Sequence, residues 1–163
     1  MLHLIGKKPA RKSEELVDLL LACHGRLRSF LAIAVAIGER ADASDEDLLE
    51  ATARVRRYFS DALPLHVEDE EDSVLPRLYG RSAALDRMCV DHDAHLPPLR
   101  RLLALCDGND RLELARAAID VRALLEPHLR EEERVVFEAI RTLLSAEERN
   151  AIVSELRARR RRT

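Results

Sequence analysis

The feature that most constrains the fold of this 163-residue chain is a duplicated segment. In each copy a histidine is followed, four and five residues later, by two glutamates: His66 by Glu70 and Glu71, and His128 by Glu132 and Glu133. Positions four apart share one face of an α-helix, so each copy presents an imidazole beside a carboxylate. The repeat therefore predicts two helices that direct the same pair of metal-ligating groups into one core.

A further histidine precedes each of these pairs. His24 lies 42 residues before His66, and His92 lies 36 residues before His128. The unit "His, then His-x-x-x-Glu" therefore occurs twice. This duplication predicts that the first two long helices are related to the last two by a pseudo-two-fold axis.

The composition favours helices along the whole chain, with 47% hydrophobic, 35% charged and only 3% aromatic residues. Such a composition is typical of packed helices. Apolar periodicity and helix-end signals indicate four long helices, over about residues 13–37, 44–79, 82–106 and 111–144. We expect an all-α fold, namely an antiparallel four-helix bundle. The predicted units are an N-terminal arm (1–12), the bundle (13–144), and a short fifth helix with a basic tail (145–163).

Several residues mark expected irregularities in these helices. Pro64 and Pro127 should kink the second and fourth helices, because a proline ring clashes with the preceding turn and lacks a backbone donor. Pro97 and Pro98 should bend or break the third helix just after His95.

Helix boundaries carry their own signals. Ser44 with Asp47, and Ser145 with Glu148, resemble capping boxes that open the second and fifth helices. Gly38 is expected to end the first helix.

Five of the six histidines fall on the apolar stripes of the predicted helices: His24, His66, His92, His95 and His128. A single histidine on such a stripe is more often a hydrogen-bonded core residue than a ligand. Here, however, Glu70 and Glu132 share the stripes, and buried carboxylates need a compensating positive charge. Salt bridges to arginine are the simplest alternative. Because the arginines lie mostly off the stripes, a pair of metal ions is the favoured compensation.

The ligand types narrow the choice of metal. No cysteine adjoins the carboxylates, and mixed imidazole and carboxylate ligands suit iron, with zinc or manganese as alternatives. Two six-coordinate ions offer twelve positions, of which two bridging glutamates fill four, an oxide or hydroxide bridge two, and five histidines five. One position stays open, or two if His95 is not a ligand. An open position on a redox metal is where O2 or NO would bind.

The sequence resembles the hemerythrin-like, or HHE cation-binding, domain over about residues 14–144. The resemblance lies in residues carried by four helices in this order: His24, His66 with Glu70, His92, and His128 with Glu132. It implies a non-haem di-iron centre with an oxo or hydroxo bridge, in which the two glutamates bridge the ions and the four histidines are terminal ligands.

The third helix and the last bridge depart from the oxygen-carrying members of that family. Those members have His-x-x-x-His on the third helix, and an aspartate five residues after the last ligand histidine. Here the third helix reads His92-x-x-His95, and Glu132 lies four residues after His128. His95 is expected either as a fifth histidine ligand or as a residue that holds a carboxylate or water beside the centre.

The resemblance and these departures favour a protein that binds O2, NO or peroxide in sensing, storage or detoxification, rather than an enzyme. Two alternatives stay open. One is a di-iron peroxidase or oxidase that turns over peroxide at the same centre. The other is a non-redox helical interaction module that is held together by zinc or salt bridges.

Charge and composition also bear on partners and location. The net charge of −3 gives no general attraction to nucleic acid or to an anionic membrane. The terminal arginines, 157 and 159–162, are interpreted as a solvated helix end. Three cysteines without disulfide-like spacing are interpreted as core residues. With no signal-like segment and no uncharged stretch of about 18 residues, we expect a soluble cytoplasmic protein.

Overall fold

The computed structural model describes residues 12–88, 92–108 and 110–162, and no strand occurs among them. Their α-helices are α1 (Lys12–Glu39), α2 (Asp45–Arg57), α3 (Leu63–Glu68), α4 (Leu75–Leu78), α5 (Ala83–Met88), α6 (His92–Leu105), α7 (Arg111–Leu143) and α8 (Ala146–Arg160). A first π-helical segment (Tyr58–Ala62) joins α2 to α3, and a second (Asp69–Val74) joins α3 to α4. The all-α class is confirmed. The arm predicted for residues 1–12 lies outside the described residues except for Lys12, with which α1 begins.

The long helices pack with their chain directions reversed, so that early residues of one helix contact late residues of the other. On α1 and α7, for example, His24 contacts Glu133, whereas Gly38 lies against Ala115. The early part of α1 therefore packs on the late part of α7, and the two helices are antiparallel. The same reversed order relates α1 to the helical run 45–78, and α6 to α7.

Two apolar clusters fill the interior, and a polar layer separates them. Along α1, His24 lies between Leu20 of one cluster and Leu27 of the other. Along α7, Glu132 occupies the equivalent position between the same two clusters. The apolar stripes thus continue above and below a single level of the fold at which the buried side chains are charged or imidazole-bearing.

Both predicted capping boxes are present. The Ser44 side chain accepts a hydrogen bond from the Asp47 amide at 3.1 Å, and the Ser145 side chain accepts one from the Glu148 amide at 3.2 Å. In each box the acidic side chain also accepts from the serine amide, so two backbone donors at the helix start are satisfied.

The second long helix is not a single α-helix that kinks at Pro64. Instead, the first π segment ends two residues before Pro64, and the second π segment ends two residues before Pro76. A π turn contains an extra residue, and this shifts the carbonyl that the proline ring would otherwise meet. Pro64 and Pro76 are therefore a sequence signal for the two π segments, although only a kink at Pro64 is predicted from the sequence.

The third helix does not break at its prolines. Helix α6 continues without interruption through Pro97 and Pro98, so of the bend or break predicted just after His95 the break does not occur. Pro98 cannot donate to the carbonyl of Ala94, four residues earlier, and Ala94 is exposed. Water can therefore bond that carbonyl in place of the missing intrahelical partner. Likewise, α7 runs uninterrupted through Pro127.

Gly38 was predicted to end the first helix, but α1 continues to Glu39. A Cβ at Gly38 would lie 2.6 Å from the Ala115 Cβ and would also clash with the carbonyl oxygen of Arg111. The glycine therefore allows α1 and α7 to approach closely near the start of α7.

Helix α1 has the length and apolar composition of a membrane-spanning segment over Glu15–Glu39. Buried helices of folded domains pass the same test. In this structure, α1 packs against α2, α3, α7 and α8, and His24 near its middle is fully buried.

Candidate metal centre

The polar layer holds two groups of three side chains whose ligand atoms converge. His24, His66 and Glu70 form the first group, and His92, His128 and Glu132 form the second. Within each group the ligand atoms lie within 4.8 Å of one another, which is close enough for them to hold a metal ion. The structure therefore brings together six of the seven residues singled out from the sequence, and it does so on α1, α3 with the second π segment, α6 and α7.

The two glutamates join the groups, because each presents one oxygen to either side. Glu70 Oε1 lies 3.4 Å from His66 Nε2, while Glu70 Oε2 lies 3.5 Å from His92 Nε2. Glu132 Oε1 lies 2.9 Å from His128 Nε2, while Glu132 Oε2 lies 3.3 Å from His24 Nε2. A carboxylate in this arrangement can bridge two ions.

His95 lies beside the second group. It is buried, and its ring centroid is 4.6 Å from that of His128 and 6.3 Å from that of His92. The third helix thus places this imidazole on the side of the second group, the side on which a fifth histidine would add to His92 and His128.

The second glutamate of each duplicated segment holds a histidine of the neighbouring helix. Glu133 Oε1 lies 2.9 Å from His24 Nδ1, and Glu71 Oε1 lies 2.8 Å from His92 Nδ1. Each contact fixes the orientation of the ring and turns Nε2 toward the centre. We did not predict these roles, although the repeated Glu-Glu pair was a signal for them.

The two outer contacts differ in how they are supported. Arg28 donates from Nη1 to Glu133 at 2.8 Å and from Nε to Glu126 at 2.9 Å, so the carboxylate behind His24 is itself anchored. The Glu71 side chain is 46% exposed, and the structure gives it no comparable arginine among the described contacts. The first group is therefore the more rigidly held of the two.

Several buried polar atoms of the layer make no hydrogen bond. They are His24 Nε2, both ring nitrogens of His66, and Glu70 Oε1. Unpaired polar atoms are costly in a protein interior, and these converge on the first group. No arginine or lysine of the described residues lies within ion-pair distance of Glu70 or Glu132. The arginine alternative is thus not supported, and the donor set fits a metal ion.

The electrostatics of the layer also favour an added positive charge. Burial lowers the pKa of His24, but the carboxylates of Glu132, Glu70 and Glu133 outweigh it and raise that pKa to about 10. The pKa of His92 is raised to about 9 by Glu132, Glu70 and Glu71 against the effect of burial. Conversely, the pKa of Glu132 is held well below its usual value by the surrounding histidines, although burial alone would raise it. Without a metal, His24 and His92 therefore hold protons more tightly than free imidazoles do, and their positive charge compensates the carboxylates.

Cys23 adjoins the first group through its interaction with His66. The thiol is buried, as predicted for a core cysteine, and it accepts a hydrogen bond from Arg26 Nη2 at 3.1 Å. Burial raises the pKa of this thiol, but His66 and Arg26 outweigh that effect and lower it overall. Cys106 is also buried, and Cys89 lies outside the described residues.

The fold and the layer define a helical metal-binding protein with paired histidine and carboxylate groups. The family model of the hemerythrin HHE cation binding domain matches residues 15–140, well over half of the chain. The chain therefore belongs to the hemerythrin HHE cation-binding family, and the resemblance seen in the sequence is confirmed. A search of curated proteins finds no significant match. Family membership implies cation binding, and both candidate groups lie within the matched residues.

Proposed function

We propose that this protein is a non-haem di-iron protein that binds O2, NO or peroxide at an open iron position. The observation that carries the proposal is the placement of Glu70 and Glu132, each with one oxygen toward either histidine pair. When bound, the two irons would supply redox chemistry and a coordination site for a small ligand. The terminal ligands would be His24 and His66 on one ion, and His92 and His128 on the other.

The donor sets favour an open position on the first group. On that side only His24 and His66 offer imidazoles, whereas His95 adjoins the second group and can complete it. The surroundings of the first group suit a small ligand, because His24 and His66 are at most 3% exposed and the Phe137 ring lies 5.1 Å from that of His24. The space between such closely packed groups is small, and this favours a diatomic molecule or peroxide over a larger substrate.

The protein groups around the ions have defined tasks in this account. Glu133 and Glu71 orient His24 and His92 through their outer nitrogens, which keeps both inner nitrogens directed at the centre. The two apolar clusters restrict water, which strengthens electrostatic interactions inside the layer. These features suit the sensing, storage or detoxification of a small ligand, which we propose as the role of this protein in the cytoplasm.

We also propose that the four long helical runs form an antiparallel four-helix bundle around this centre. The reversed contact order of α1 with α7, of α1 with the run 45–78, and of α6 with α7 supports that arrangement. A site in a bundle core is built from inward-facing side chains of facing helices, as these groups are.

Comparison of Glu132→Ala with Glu131→Ala tests the proposal. The two positions are neighbours on α7, but Glu132 is buried in the layer, whereas Glu131 is 43% exposed and pairs with Arg134. After anaerobic loading with Fe2+, we expect Glu132→Ala to lose at least one iron per chain and Glu131→Ala to retain two. Retention of two irons by Glu132→Ala and by Glu70→Ala would show that neither glutamate bridges. Zinc binding with refusal of iron would favour the non-redox alternative.

A further inference from the structure

The second π segment carries two consecutive buried carboxylates that face different surroundings. Glu70 faces the histidines of the polar layer, and Asp69, which is fully buried, faces α8. Adjacent positions of a helix point in different directions, about 100° apart in an α-helix, so one backbone segment sets both orientations. Whatever holds Asp69 therefore also constrains Glu70.

Two consecutive arginines at the end of α8 hold the Asp69 carboxylate. Arg159 Nη1 donates to Oδ1 at 2.5 Å, and Arg160 Nη2 donates to Oδ2 at 2.5 Å, so each oxygen has its own guanidinium. Arg159 is only 8% exposed. The prediction that the terminal arginines form a solvated helix end is therefore wrong for Arg159.

Arg159 reaches across the whole second π segment. In addition to Asp69, its guanidinium lies 3.3 Å from the Ser73 hydroxyl, to which it donates, and 3.7 Å from Asp72. These residues span the wide turn in which the Leu75 amide bonds back to the Glu70 carbonyl, five residues earlier. A π turn in a helix is uncommon and needs support from its surroundings. The arginine therefore contacts the residue just before that turn, Asp69, and two residues within it.

We propose that α8 is a positioning element for the metal centre, with Asp69, Arg159 and Arg160 holding the π turn that directs Glu70 at the ions. Helix α8 lies beyond residue 140, where the family match ends, so the arginine side of this contact comes from outside the matched residues and Asp69 from within them. The proposal rests on the proposed function, because Glu70 must be a metal ligand. It predicts that a substitution at the α8 contact alters metal binding, although the contact lies on the side of the π segment that faces away from the histidines.

The test compares two isosteric substitutions that each remove one contact between α8 and the run 45–78. Asp69→Asn removes the charge held by Arg159 and Arg160, while Glu155→Gln removes the charge that pairs with Arg77 of α4, whose Nη2 lies 2.6 Å from Glu155 Oε1. Both loosen α8, but only Asp69 adjoins a layer residue. Chelator competition measures Fe2+ affinity, and the optical spectrum of the loaded protein reports the ligand geometry.

We expect Asp69→Asn to weaken Fe2+ binding by about 10-fold to 100-fold and to shift the optical spectrum, the range typical for loss of a residue that supports a metal ligand. Glu155→Gln should leave both unchanged even if it lowers the melting temperature. Wild-type affinity and spectrum in a folded Asp69→Asn protein would overturn the proposal. Absence of a di-iron centre in the wild-type protein would instead overturn the proposed function.

A measurement on the unaltered chain covers the case in which Asp69→Asn does not fold. If α8 favours the metal-bound arrangement of Glu70, then metal must favour docked α8 by the same free energy. Loading with Fe2+ should therefore slow amide hydrogen exchange in Ala146–Arg160 more than in Asp45–Arg57, the α2 segment that precedes both π segments. Equal slowing in both segments, or none in α8, would contradict the coupling.

Discussion

Raising the pH should destabilise the metal-free protein through His24. In the folded chain the pKa of this histidine is raised from 6.5 to about 10, because the carboxylates of Glu132, Glu70 and Glu133 outweigh the effect of burial. A proton bound more tightly in the folded state stabilises that state. The stabilisation is complete below pH 6.5, declines as the pH rises, and is lost above about pH 10.

The size of the effect follows from the two pKa values. At about 1.4 kcal/mol for each pH unit between them, the full linkage is at most about 5 kcal/mol. Between pH 6 and pH 9 the expected loss is about 3 kcal/mol. His92 acts in the same direction, but it shares Glu132 and Glu70 with His24, so its contribution does not simply add. For a chain of this size, a loss of about 3 kcal/mol lowers the melting temperature by roughly 6 to 12 °C.

Urea denaturation of chelator-treated protein at pH 6, 7, 8 and 9 measures the free energy of unfolding directly. The matched control is His24→Gln, which keeps a polar side chain at this position but does not titrate. Its stability should fall less steeply over the same range. A wild-type free energy that is constant or rises from pH 6 to pH 9, or a His24→Gln curve parallel to it, would refute this reasoning.

Two further substitutions test packing and the ligand set. Gly38→Val should lower the free energy of unfolding by about 1 to 3 kcal/mol, measured by the same denaturation, because its side chain would overlap Ala115 and the Arg111 carbonyl; an unchanged free energy would contradict the close approach of α1 and α7. His95→Ala should leave two irons per chain but change the optical spectrum of the loaded protein, and an unchanged spectrum would remove His95 from the ligand set.

Much of the polar layer was predictable, because the spacing of two residues in a helical sequence determines whether their side chains point the same way. His66 and Glu70 are four residues apart and face the same group, as do His128 and Glu132. His24 was placed by its position on an apolar stripe, and it lies between the two clusters to which that stripe contributes. Local spacing and burial were sufficient for these residues.

Other features depended on contacts between residues far apart in the sequence. Arg159 was expected to be solvated, because a run of arginines at a chain end is usually exposed, but Asp69 lies 90 residues earlier and pairs with it. The role of Gly38 depends on Ala115, which no local pattern reveals. Asp69 and Glu70 are consecutive and both buried in the second π segment, which the apolar periodicity did not predict.

The most direct test of the central claim is the metal content per chain by mass spectrometry, taken with the optical spectrum of the same sample before and after reduction and exposure to air. This account predicts two irons per chain and oxo-bridge absorption that bleaches on reduction and returns in air. Zinc or no metal, together with refusal of iron on reconstitution, would contradict a di-iron function while leaving the helical fold in place.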